Sequence, residues 1–499
     1  MRTLITPQAM RAGEARYFAS SGVPSIEVME RAATALAERI ASELPVGATI
    51  YFACGTGGNG GDGSACARLL HESYNCVIVQ PRPPKSPDAI ANLRRAADCG
   101  IVVTEDDSQL AQPDAWVDAL FGTGLSRAPG GAEGALIGRI NADHAQGARV
   151  YAADIPSGLN GETGAAYDPC VQADATITFQ YLKTGMTLAD GLDVCGEITV
   201  ADVGFPAEGF ELNTAALVGP DDLGRILQKR PRNVHKGDCG HLLIVAGSLG
   251  MAGAAVLCAK AALRSGAGLV SVACVRPIVP ILQTLAPQAM CIPLAENDGA
   301  ISAEALPALE AALRGKSAVA VGPGLSRRAD AGVLRLVLES NLPAVIDADG
   351  LNILSEHREL MALLRSQHVL TPHPGEAARL LGRNCTNPLA DSAALTELGA
   401  NALLKGAASV ICAPERPTAY VSASGCRGMA RGGSGDVLTG ILGAILADRR
   451  GVNPAQAAAC ASEIHGLAGE LAQRRYGARS MNAADILEFL PEVFREHVE

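Results

Sequence analysis

The chain repeats one grammar twice: a short apolar segment, a turn rich in glycine or acid, then apolar residues at helical spacing. In the first run the apolar segments are ATIYFAC, NCVIVQ, GIVVTE, AWVDALF, ARVYAADIPS and ATITFQ. Helical patterns lie at 25–43 and from Gly63 to about His71. Short apolar strands separated by helices predict a parallel sheet covered on both faces. Such sheets bind ligands in the loops at the carboxyl ends of their strands. Residues 203–225 contain Pro and Gly and show no long periodic segment. The grammar restarts with GHLLIVAG, GLVSVAC, SAVAVGPG, PAVIDADG, HVLTPH, ASVICAP and TAYVSA. A helix is predicted over 252–265, and a last long helix from about Gly435 to Asp448. At 499 residues the chain exceeds one ordinary core. Two α/β domains are therefore expected, over 1–215 and 220–499.

Composition narrows the function. Aromatics are only 3% of residues, and small residues favour close packing of helices on sheets. The formal net charge is -11, with no basic run, which argues against a nucleic-acid surface. Small anions stay possible, because backbone N–H groups at helix starts bind phosphate without net positive charge. The fourteen cysteines form no CxxC pair and no metal spacing, so they read as reduced and mostly buried. No signal-peptide core and no uninterrupted run of 18 apolar residues is visible. A cytoplasmic protein with no membrane partner is expected.

Three first-half motifs follow strands. The first, Cys54 to Gly63, is dense in glycine and precedes a helix. Glycine lets backbone approach a ligand closely, and the helix start suits phosphate. It lacks the Gly-Lys-Ser/Thr of a Walker loop, and Asp62 interrupts any GxGxxG fingerprint, so a flexible turn is the alternative. The second is Val117 to Leu125, with Asp118 near a strand end; the third is Ala153 to Gly161, with Asp154. A lone acid there can be a simple helix cap. Asn59, Asp118 and Ser157 together offer oxygen donors without nitrogen or sulfur, which suits a hard cation.

NGGDG, DALFGTG, DIPSGLNG and TFQYLKTG together resemble the NAD(P)H-hydrate epimerase domain, the YjeF-type N-terminal domain, over about residues 10–205. The resemblance implies a Rossmann-like fold that interconverts the R and S epimers of hydrated NADH and NADPH. It implies potassium at Asn59, Asp118 and Ser157. It also implies dinucleotide contacts from Asn59, Gly60, Gly61, Asp62 and Gly63, and from Gly122, Thr123, Gly124, Leu125, Ser126 and Arg127. Asp154 would contact the hydrated ring and serve as the acid/base, with Lys183 nearby. Lys183 read alone could be a surface lysine.

In the second half, Gly432 to Leu438 (GGSGDVL) opens a helix with glycines and places Asp436 in its first turn. Free N–H groups stabilise phosphate charge, and the carboxylate can accept a hydroxyl proton. Lys405, Gly406, Ala407, Ala408 and Ser409 lie between a predicted helix and a strand, as a nucleotide-phosphate turn or an ordinary helix stop. DADGLN over 347–352 and TPHPGE over 371–376 end two further strands. His373 there is read as either structural or part of the site.

GPG, DADGLN, TPHPGE, LLKGA and GGSGD resemble the ADP- or ATP-dependent NAD(P)H-hydrate dehydratases of the ribokinase superfamily, over about 225–495. The fusion of both halves resembles the bifunctional NAD(P)H-hydrate repair family almost end to end. By that resemblance Lys405–Ser409 and Gly435 contact ADP or ATP. Ala254, Gly324, His373 and Asp436 contact the S-hydrate, and magnesium bridges the phosphates. Asp436 would deprotonate the ring hydroxyl for phosphorylation, after which phosphate leaves. A homo-oligomer acting on NADHX and NADPHX is expected, with no nucleic acid. The rivals are a vitamin or sugar kinase fused to a dinucleotide sensor, and an RNA-binding scaffold of the kind found in mRNA decapping. The acidic chain and the intact Asn59, Asp118, Asp154 and Lys183 disfavour the scaffold.

Overall fold

The computed structural model describes residues 1–212 and 214–499. They form two compact units, Thr3–Ala215 and Ala216–Glu499, the latter joined by Met1–Arg2.

In the first unit seven strands lie in the order Val102–Thr104, Asn75–Val79, Thr49–Cys54, Ala115–Ala119, Arg149–Ala153, Ala175–Phe179 and Glu197–Ala201. Every pairing is parallel. The strand Thr49–Cys54 shows why both faces are covered. Ile50, Phe52 and Cys54 enter one apolar cluster, and Tyr51 and Ala53 enter the other. The order reverses between Thr49–Cys54 and Ala115–Ala119. The loops after these strands, and after Arg149–Ala153, open on the same sheet edge, and those loops carry the three motifs.

The NGGDG segment differs from expectation. Its helix runs Gly58–Leu70 and starts five residues before Gly63. The glycines permit close packing inside a helix. A Cβ on Gly60 would stand 2.0 Å from the Gly55 carbonyl oxygen, and one on Gly61 would stand 2.6 Å from Met29 Sδ. One on Gly63 would stand 2.6 Å from the Ala119 Cβ. The helix start is thereby pressed against the strand ends. The strand Glu197–Ala201 was not foreseen; it is a half-exposed edge with a polar first residue.

In the second unit nine strands lie in the order Met290–Leu294, Leu269–Val275, His241–Val245, Ala318–Val321, Ala344–Ile346, His368–Leu370, Asn401–Leu404, Ser409–Ala413 and Arg416–Ser422. The first seven pair in parallel and the last two antiparallel. Leu403 and Leu404 are therefore strand, not helix. Both are buried, as in a strand covered on two faces, so the run shows no alternation. The segment 203–225 also contains structure, with the strand Ala215–Val218 and the helix Pro220–Leu227. Two long helices, Pro454–Tyr476 and Ala483–His497, follow the last helix that the residue spacing predicts. The first of these is buried on most sides and rich in alanine, so it shows no one-sided stripe. Among the described residues no helix is long and apolar enough to cross a membrane.

Candidate functional site

The first unit gathers its acids at the sheet edge. Asp118 is fully buried. Its Oδ1 accepts from Ser157 Oγ at 2.6 Å and its Oδ2 from the Ser157 N–H at 2.7 Å. The Leu120 N–H reaches Oδ1 at 3.2 Å, and Phe121 N–H donates to Ser157 Oγ at 2.9 Å. Burial pushes the Asp118 carboxyl up to about 6, against these donors. No cationic side chain offsets its charge among the described residues. Asn59 lies beside Gly122, whose Cβ would stand 3.6 Å from the Asn59 amide carbon. The Asn59 side-chain nitrogen is buried without a partner. Amide orientation is an assignment, so the opposite flip would point an oxygen there. Oxygen donors, a buried carboxylate and an orphaned amide fit a monovalent cation.

Asp154 caps no helix; it has φ 67. Its Oδ1 accepts from Lys183 Nζ, from Thr178 Oγ1 at 3.2 Å and from the Phe179 N–H at 3.3 Å. Lys183 is fully buried, not a surface lysine. Its Nζ also donates to Thr178 Oγ1 at 2.8 Å and to the Phe179 carbonyl at 2.9 Å. The pairing of Leu4 and Ile5 with Leu182 and Lys183 fixes that backbone. All three donors use Oδ1, which leaves Oδ2 for a ligand. Asp62 is buried nearby with no hydrogen-bond partner among the described residues, and burial, Asp154 and Glu14 hold its carboxyl well above the usual range. The loop Gly122–Arg127 turns at Thr123–Gly124 and is half exposed, and Arg11 Nη1 donates to its Thr123 carbonyl.

In the second unit the centre is Asp347, which is fully buried. Its Oδ1 accepts from Lys405 Nζ at 2.7 Å and its Oδ2 from Thr439 Oγ1 at 2.7 Å. Lys405 lies over the GGSGD helix, which runs Ser434–Ala447; a Cβ on Gly435 would stand 3.5 Å from Lys405 Nζ. Burial would lower the Lys405 ammonium, yet Asp347, Glu376 and Asp436 together hold it above its ordinary value. Asp436 sits in the first helical turn. Burial, then Asp347, pushes its carboxyl up to about 7, with Lys405 opposing. Gly433, at φ 95, begins the helix, which the buried Ser434 continues. His465 stands behind, with Nε2 at 3.4 Å from Ser434 Oγ.

Lys405–Ser409 is the turn between the antiparallel strands Asn401–Leu404 and Ser409–Ala413, with Gly406 and Ala407 exposed at its tip. Gly324, at φ 58, packs on the helix Ala252–Arg264: a Cβ there would stand 2.8 Å from the Met251 carbonyl oxygen and 3.0 Å from the Ala254 Cβ. One turn on, Leu257 meets Gly433, where a Cβ would stand 2.7 Å away. Ala254, Gly324 and the GGSGD turn thus lie around one helix. His373 is an N-cap: its Nδ1 accepts from the Gly375 N–H at 3.0 Å, and Glu376 accepts from its backbone N–H at 2.9 Å. Its imidazole is otherwise exposed. Asp349 ties loops together, accepting from the Ser326 N–H at 2.8 Å and from Asn352 Nδ2 at 3.2 Å.

Glu14, Arg11, Thr439 and His465 had no place in the sequence reading. Thr439 could have been found three residues after Asp436 on one helix face. Glu14 lies in a weakly amphipathic helix and carries no motif.

The family described as NAD(P)H-hydrate dehydratase matches residues 242–492, and the YjeF-related N-terminus matches 25–185. The bifunctional NAD(P)H-hydrate repair enzyme of Moorella thermoacetica is 37% identical, covering 98% of this chain and 96% of that one. The Escherichia coli enzyme of the same description is 34% identical, covering 98% and 93%. A ribokinase-like superfamily protein of Enterococcus faecalis shares the fold of the second unit, at 24% identity and a TM-score of 0.50, covering 57% of this chain and 97% of that one.

Proposed function

The chain belongs to the family of bifunctional NAD(P)H-hydrate repair enzymes, and on that premise we propose how its two units share the repair. Its reactions are epimerisation of hydrated NADH and NADPH and dehydration of the S-hydrate. The first unit would epimerise, and the second would dehydrate with ADP or ATP as phosphoryl donor.

The observation that carries the dehydratase reading is the convergence of Lys405, Asp347 and Asp436 on the first turn of a glycine-opened helix, with Thr439 of the next turn holding Asp347. Lys405 and the turn through Ser409 would hold the nucleotide phosphates. The N–H groups at Gly433–Gly435 would take the charge of the phosphate in flight. Asp436 would remove the proton of the C6 hydroxyl as its oxygen attacks the terminal phosphorus and the nucleotide leaves one phosphate shorter. The ring nitrogen then expels phosphate from C6, and loss of a C5 proton restores the dihydronicotinamide. Phosphorylation matters because hydroxide is a poor leaving group. Magnesium would supply charge neutralisation at the phosphates. Ala254, Gly324 and His373 would border the hydrate.

In the first unit potassium would be held by Asn59, Asp118 and Ser157, where it would offset the buried Asp118 charge. The NGGDG helix start and the Gly122–Arg127 loop would hold the dinucleotide. Asp154, fixed by Lys183, would meet the ring through Oδ2.

The Asp436 role is tested by pH. A base must be ionised, and burial and Asp347 push this carboxyl up to about 7. Dehydratase kcat/KM is therefore expected to fall roughly tenfold per pH unit below that value. A flat rate on the S-hydrate over about pH 5.5–8 would exclude Asp436 as the base.

A further inference from the structure

We infer that Glu14 is a second catalytic group of the epimerase site, the acid that protonates the departing C6 hydroxyl opposite Asp154. The inference rests on the epimerase reading above. Its helix is Pro7–Ser21, and two contacts set that helix against the loops of the sheet edge. At its start Pro7 packs on the loop that follows Asp154: a Cβ on Gly161 would stand 2.8 Å from Ile155 Cδ1 and 2.9 Å from Pro7 Cγ. One turn on, Arg11 donates to the Thr123 carbonyl of the second loop. Glu14 follows three residues later on the same helix face. The charged groups that face it are Asp154 and Lys183 from the strand ends, Asp62 from the helix Gly58–Leu70, and Arg11 from its own helix.

The charge balance assigns the proton. Three carboxyl groups, Glu14, Asp62 and Asp154, share one buried ammonium. Lys183 and two further donors all go to Asp154, the pattern of a carboxylate acceptor. No donor reaches Glu14 among the described residues. Burial and then Asp154 raise it to about 7, with Lys183 and Arg11 opposing. Near neutral pH Glu14 therefore exchanges its proton readily, as an acid–base catalyst must.

The chemistry needs no further reactant. Glu14 gives its proton to the C6 hydroxyl as the C6–O bond breaks and water leaves. The ring-nitrogen lone pair forms a C6=N1 iminium, whose positive charge faces the Asp154 carboxylate. Water adds back to either face of C6, and the proton it sheds returns to Glu14. No electron is gained or lost, and the product is the other epimer.

The test uses the full chain and a single epimer of hydrated NADH, with R-to-S exchange followed by chromatography. Wild-type kcat/KM should fall as pH rises through about 7, where Glu14 loses its proton. Glu14→Gln should slow exchange by about 10²-fold or more and abolish that fall, while Glu14→Asp recovers part of the rate and keeps it. Dehydration of the S-hydrate should be unchanged in both. Wild-type exchange and pH profile in a folded Glu14→Gln would overturn the inference. If that variant fails to fold, the wild-type profile decides, and a flat one through neutrality overturns it. A wild-type chain that does not accelerate exchange at all would instead remove the epimerase reading, and this inference with it.

Discussion

Asp436→Asn is expected to lower dehydratase kcat by about 10²–10⁴-fold, the usual cost of losing a general base. Asn has nearly the same size and cannot take the hydroxyl proton. The variant should fold, because among the described residues Asp436 makes no hydrogen bond that orders the helix start, which instead rests on Gly433 and Ser434. Nucleotide binding should persist, since Lys405 is held by Asp347. Removing the neighbouring negative charge should, if anything, ease binding of an anionic nucleotide. R-to-S exchange should be untouched. A helix-capping role for Asp436 leads elsewhere: Asn caps about as well as Asp, so turnover would stay near wild type. Turnover on the S-hydrate, with nucleotide binding measured by calorimetry, separates the two.

Asp154→Ala should do two things to the first unit. Exchange of epimers should fall by about 10²–10³-fold, through loss of the carboxylate that faces the positive charge developing on the ring. The unit should also lose about 3–5 kcal/mol of stability, because Lys183 is fully buried and its ammonium would lose the one carboxylate that pairs with it among the described residues. Thr178 Oγ1 and the Phe179 carbonyl still accept from it, which favours the lower part of that range. Asp154→Ala with Lys183→Met should recover part of the stability and none of the exchange. A single variant with wild-type exchange would take Asp154 out of the mechanism.

Much of this architecture could be read from residues alone where chemistry and geometry coincide. Asp118, Asp154 and Asp436 were each identified at strand ends or helix starts, because backbone punctuation marks those places. The chain's membership of the repair family follows the same motifs. The unread parts have physical reasons. The NGGDG segment looked like a loop because glycine usually marks one, but here Gly60, Gly61 and Gly63 are packing positions within a helix. Leu403 and Leu404 hid a strand because burial on both faces erases alternation. Lys183 and Glu14 were ambiguous or silent because their partners lie far along the chain. Only the fold sets Lys183 beside Asp154 and lays the helix of Glu14 against loops more than a hundred residues away.

The central claim is that one chain carries both repair steps. The most direct measurement supplies the pure R epimer of hydrated NADH with ADP and magnesium, and follows the return of dihydronicotinamide absorbance. The R epimer should be converted steadily and completely, since the first unit feeds the S epimer to the second, and omission of ADP should stop the recovery. Recovery from the S epimer alone, or a stable phosphorylated product in place of NADH, would contradict the account.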